Sequence, residues 1–137
     1  MPGGANLPHF KDTSKLSPVY MDAPASVVIP MSMHIGAPAT PIVKAGDKVY
    51  VGQLIAEAGG FVSAPIYSSV SGTVKKLDTM TSSMGSPMQV IHIESDGEMT
   101  TDPEITAPDV HDYDSFIAAV RKSGAVGLGG AGFPTAI

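Results

Sequence analysis

Between Gly127 and Thr135 the chain reads GLGGAGFPT, with four glycines in six residues followed by Phe-Pro-Thr. Successive amides with no side chains in the way can point at one anion, so this stretch has the residue types of a phosphate cradle. A glycine cluster alone is a weak signal, because a plain connection to a helix has the same composition. No other stretch offers chemistry of this kind. The chain has no cysteine, which removes disulfides, thiolate zinc sites and cysteine-ligated iron–sulfur clusters. The four histidines, His9, His34, His92 and His111, stand far apart without metal-site spacing and read as structural. The residues name no catalytic group and no metal ligand.

A phosphate loop needs elements to hold it. HDYDSFIAAVRKSG, just before the loop, carries Tyr113, Phe116, Ile117 and Val120 at helical spacing. Asp112 or Asp114 can cap this helix, Arg121 and Lys122 suit its last turn, and Gly124 suits the position just past its end. Further upstream the pattern is β. SVVIPM from Ser26 and PMQVIHIES from Pro87 read as strands, the second ending at an Asp96-Gly97 turn. VKAGDKVYVGQLIAEA holds a tight turn at Ala45–Lys48, with Val49, Val51 and Leu54 expected to point inward. SAPIYSSVSGTVKKL holds another turn after Val70. Short strands with turn signals every few residues imply a mainly β barrel or sandwich. Residues 1–25 read as an extended arm, 26–100 as the barrel, and 101–137 as an acidic linker, the helix and the loop.

Composition narrows the function classes. The formal charge of −5 disfavours nucleic acid or a bare anionic lipid surface as a direct partner. Tryptophan is absent and aromatics are 6%, too few for a stacking platform along single-stranded nucleic acid. No apolar run is long enough to span a bilayer, and MPGGANLPHF lacks the basic and apolar regions of a secretory signal. A soluble segment without direct membrane insertion is expected.

Two stretches resemble known families. Gly46-Asp-x-Val-x-x-Gly-Gln-Leu, followed by Ala64-Pro-x-x-Ser-x-x-Ser-Gly-x-Val, resembles the biotinyl and lipoyl carrier domains, which are flattened barrels of the barrel-sandwich hybrid type. A carrier attaches its cofactor to a lysine at the tip between those halves. Here the tip reads AEAGGFVSAP, with no lysine between Lys48 and Lys75, so neither biotin nor lipoate is expected. GGAGFPT resembles the flavin loop of the flavoprotein subunit of respiratory complex I, which carries arginine where this chain has Leu128. By position, that resemblance implies that Gly127, Gly129 and Gly130 line flavin mononucleotide (FMN). It also implies that Gly130, Ala131 and Gly132 let a nicotinamide dinucleotide, NAD(H), come close, and that Phe133 stacks on it.

The order of barrel, acidic linker, helix and GLGGAGFPT is similar to the RnfC family of the Rnf electron transport complex, across essentially the whole chain. The resemblance implies part of an ion-translocating ferredoxin:NAD oxidoreductase at the cytoplasmic face of the bacterial membrane. Its partners would be the other Rnf subunits and, through the complex, ferredoxin. FMN, NAD(H) and 4Fe–4S clusters would belong to a longer subunit of which this chain is an N-terminal fragment, itself expected to be inactive and to bind none of them. The terminal loop would then be a mobile half-site. Two other readings stay open. One is the A subunit of the sodium-pumping NADH:quinone reductase, against which the intact GGAGFPT counts. The other is a stand-alone docking module built on the barrel.

Overall fold

The computed structural model describes Pro8 and residues 10–137. His9 and most of the sequence before it lie outside the described residues. From Phe10 to Ala23 every residue is exposed, with one short 3-10 turn at Asp12–Lys15. Seven strands follow: β1 Ser26–Pro30, β2 Thr40–Pro41, β3 Lys48–Val49, β4 Leu54–Glu57, β5 Ile66–Tyr67, β6 Gly72–Thr81 and β7 Pro87–Ser95. Among the described residues a single α-helix, α1, spans Tyr113–Lys122.

The strands form two antiparallel sheets, ordered β1-β7-β6-β3 and β2-β4-β5. The prolines sit where a missing N–H costs least. Pro30 is on edge strand β1, Pro41 on edge strand β2, and Pro87 opens β7. β6 and β7 make a long hairpin closed by the Ser82 and Ser86 backbone, with the register shifting at Lys75. Its base is buried and its outer half, from Lys75 to Met84, largely exposed.

One apolar core joins both sheets. Ile29, Val49, Val74, Ile91 and Ile93 come from the four-stranded sheet, and Ile55, Ala56 and Ile66 from the three-stranded one. Met31, Ala39 and Val70 fill it from the connections. The mainly β barrel read from the pattern is present, with one correction inside it. Val49 is buried, but Val51 and Leu54 are only partly so, and Ile55 and Ala56 fill the core in their place. The β4–β5 register shifts between Leu54 and Ala56. Val51 is also held from outside by residues 100–102: its N–H donates to Thr100 and its carbonyl accepts from Asp102. Ser71, buried, fastens this strap, donating to Asp96 at 2.6 Å and accepting from the Thr100 N–H at 2.9 Å.

Candidate functional site

The helix that leads into the glycine loop starts at a capping box. The Asp112 carboxylate accepts from the Ser115 N–H at 2.8 Å, and the Ser115 hydroxyl accepts from the Asp112 N–H at 3.0 Å. The hydrogen bond from the Ser115 side chain, then that from its backbone, holds the Asp112 carboxyl below its ordinary value of 3.8. A depressed folded-state value means stabilisation that is fully present above the unfolded value and lost as pH falls through the folded one. Helix α1 is therefore expected to fray at its N-terminus below about pH 4, seen as loss of protection at the Ser115 and Phe116 amides. Asp112→Asn, a neutral cap of similar strength, should remove that acid dependence.

The other end of α1 lies against the barrel. The Tyr67 hydroxyl donates to the Lys122 carbonyl. Burial pushes the Tyr67 phenol up, which keeps it protonated as a donor. The Arg121 guanidinium lies over the ring of Phe61, 5.6 Å from its centroid, and Nη2 donates to the Ala136 carbonyl at 3.3 Å. Phe61 belongs to the β4–β5 tip, where a carrier domain would present its lysine. Here that tip is folded down. Ser63, buried, donates to the Ala37 carbonyl at 2.8 Å and accepts from the Gly59 N–H at 2.9 Å.

The glycine loop is closed at its neck by backbone pairing. The Gly127 N–H donates to Phe133 and the Thr135 N–H to Ala125, both at 2.9 Å, and Val126 bridges Pro134 across the loop's neck. Pro134 is buried. Two ladder bonds and a buried proline work against the ordering entropy that four glycines would otherwise cost.

Within this hairpin the candidate residues divide. Gly132 has φ +69°, and a Cβ there would lie 2.9 Å from the Met33 carbonyl oxygen and 3.0 Å from His34 Cα. Its glycine is required by the barrel. Gly129 and Gly130 are different: neither has a positive φ, and a Cβ on either would meet nothing within 4 Å. Leu128–Ala131 form a turn, and none of the amides from Leu128 to Phe133 makes a short, well-aligned bond to a backbone carbonyl among the described residues. Gly127 sits behind them on its ladder bond, and a Cβ there would lie 3.7 Å from the Phe133 carbonyl oxygen, an ordinary contact. Leu128 is fully exposed, Ala131 is exposed, and Phe133 is 50% exposed. Gly129 and Gly130 thus present bare backbone beside the half-exposed ring of Phe133. The chain's own packing gives no other reason for glycine at 129 and 130.

Under the loop lies an apolar groove of about 410 Å³, bounded by β1, Met33, His34, residues 64–67, Gly124 and Val126. His34 is buried in its wall. With its proton on Nδ1 the ring donates to the Ile35 carbonyl at 3.2 Å and accepts the Ala64 N–H on Nε2 at 3.2 Å. It is a structural bridge between two loops. His92 Nε2 lies 3.8 Å from Asp78, and His111 Nε2 3.7 Å from Asp112. Among the described residues no three His, Cys, Asp or Glu side chains gather to hold a metal. No described helix is long and apolar enough to cross a membrane. Sequence reasoning missed Phe61, Tyr67, Met33 and His34 as neighbours of the loop. In a chain poor in aromatics, Phe61 and Tyr67 were the available signal.

A carrier-type barrel without its lysine, joined through one helix to a glycine hairpin, defines the class: a barrel-sandwich hybrid module bearing a glycine-rich loop. The RnfC barrel sandwich hybrid domain model matches residues 1–98, and the chain belongs to the RnfC family. It is 45% identical over 138 residues to the C subunit of the Na(+)-translocating ferredoxin:NAD(+) oxidoreductase complex of Acetobacterium woodii, across 97% of this chain and 31% of that protein. It is 38% identical to the C subunit of the ion-translocating oxidoreductase complex of Pseudomonas aeruginosa, across 98% of this chain and 18% of that protein. The C subunit of the proton-translocating ferredoxin:NAD(+) oxidoreductase complex of Clostridium ljungdahlii is 40% identical over 81% of the chain. The chain thus spans under a third of the length of the first of these relatives. The likeness covers nearly all of it, so it continues past the barrel into the helix and loop.

Proposed function

We propose that this chain is the barrel and leading glycine loop of the RnfC subunit in an Rnf-type ion-translocating ferredoxin:NAD oxidoreductase. The barrel would take residues 26–100, and residues 101–137 would begin the flavin and dinucleotide domain. The complex would stand at the membrane, with this part on the cytoplasmic face among the other Rnf subunits. The observation that carries the reading is the bare, solvent-facing backbone at Gly129 and Gly130, which neither φ nor packing explains.

When bound, FMN accepts an electron pair as hydride and releases electrons singly, the exchange a dinucleotide-to-cluster path requires. The chain's own part is placement. Amides from Leu128 to Ala131 would donate to the flavin phosphate, Gly127 would hold the turn behind them, and Phe133 would offer its free face to the dinucleotide. Gly132 serves chiefly to seat the loop. The 4Fe–4S clusters cannot be ligated by cysteine here, because the chain has none.

The test is flavin content. The purified oxidoreductase complex containing this chain is expected to release stoichiometric FMN on acid treatment, and a complex free of FMN would overturn the reading.

A further inference from the structure

The barrel touches the glycine loop at two places, and both contacts demand glycine. Gly124, with φ +68°, lies where a Cβ would be 2.7 Å from the Pro65 carbonyl oxygen and 3.3 Å from the Tyr67 ring. Gly132 has the corresponding relation to Met33 and His34. Gly129 and Gly130, where a Cβ would meet nothing within 4 Å, are bracketed by these two glycines. Each is in the left-handed region and pressed on barrel backbone, so neither tolerates a side chain. The Tyr67 hydroxyl on the Lys122 carbonyl secures the first seat. The His34 bridge to Ala64 ties the second seat to the segment that carries the first.

We propose that the barrel is the brace of the cofactor loop, with Tyr67 and the Met33–His34 backbone as positioning elements acting through Gly124 and Gly132. The barrel-sandwich hybrid, which in a carrier domain presents a swinging arm, would here provide a fixed seat. Donors must lie within a fraction of an ångström to grip a phosphate, and a glycine run cannot supply that rigidity alone. Holding the hairpin at both ends does. This inference rests on the flavin reading of Leu128–Ala131 for its consequence, although not for the contacts themselves.

Two variants of the protein within its complex test it, Gly132→Ala and the milder Tyr67→Phe, which removes only the hydroxyl. With flavin removed, hydrogen exchange read by mass spectrometry should speed up about tenfold or more at the Gly127 and Thr135 amides, whose ladder bonds close the loop's neck. Peptides from β6 and β7 should keep wild-type protection. Flavin affinity should weaken on the order of ten- to a hundredfold for Gly132→Ala, and less for Tyr67→Phe, at an unchanged barrel melting temperature. A purely structural role would lower that temperature together with affinity, and this result would count against the brace. Unchanged exchange in Gly132→Ala overturns the brace whatever the flavin does. Faster exchange with unchanged affinity overturns it too, since the loop's geometry would then be set elsewhere. Flavin missing from the unaltered complex is a failure of the functional reading, visible before any substitution, and it removes the cofactor half of the brace.

Discussion

Gly130→Val in the complete oxidoreductase complex is expected to lower flavin affinity at least about a hundredfold, near 3 kcal/mol of binding free energy, while the barrel melts as before. The two halves of that expectation have separate physical causes. Inside the protein a Cβ at position 130 meets nothing within 4 Å, and the backbone there is not left-handed. Folding therefore has no reason to object, and an exposed substitution of this kind moves stability by about 0.5 kcal/mol or less. Toward a ligand the same open space is what the valine fills. Its branched carbon stands where a phosphate or ribose must approach the amides, and its stiff χ1 cannot swing aside. Gly130→Ala should fall between wild type and valine. Flavin content after gel filtration and thermal melting of the same samples measure both halves. A folded Gly130→Val complex with full flavin would make the loop a connector, and the assignment of Gly127 and Gly129–Phe133 would fall with it.

Ile91→Ala should have the largest effect on folding. Ile91 lies on β7, between β1 and β6, and is 0% exposed in the core shared by both sheets. Truncation removes its buried methyl groups and leaves a cavity that close-packed neighbours fill only in part, costing about 2–5 kcal/mol. That is a large fraction of the ~5–15 kcal/mol by which domains are stable at all. Val28→Ala, on neighbouring β1 but 43% exposed, should cost about 1 kcal/mol or less. Urea unfolding of the two variants, compared by midpoint at constant slope, decides the matter. Equal midpoints would mean that the shared core is not the source of the barrel's stability. β7 also supports the loop's seat indirectly: the Met31 N–H donates to Gln89 at 2.9 Å, just before Met33 and His34.

Much of the architecture is legible in the residues alone, wherever local chemistry decides. SVVIP and PMQVIHIES form strands, because β-branched residues suit a pleated, half-buried surface. Helix α1 begins at Asp112 and ends before Gly124, because a short carboxylate caps orphan amides and a residue without a side chain accepts the left-handed turn. The missing lysine at the Glu57–Ala64 tip needs only inspection. Other features depend on partners far along the chain. Ile55 and Ala56 displace Val51 and Leu54 from the core through a register shift and through a strap arriving from residues 100–102. Both are invisible to a period-2 pattern read within one strand. The helix shows the same limit from the opposite side. Its apolar spacing suggests a buried face, yet Tyr113 and Phe116 remain 75% and 51% exposed.

The glycines give the clearest division. Read in a row, Gly127, Gly129, Gly130 and Gly132 are interchangeable, and their density alone suggests a loop open to a ligand. Their difference comes from what lies opposite each one. Gly132 rests on Met33 and His34, about a hundred residues earlier in the chain, and nothing lies against Gly129 or Gly130. Composition and turn chemistry act between near neighbours and so are written in order along the chain. Which backbone meets a barrel and which meets open space depends on long-range packing, and that exists only after the chain has folded.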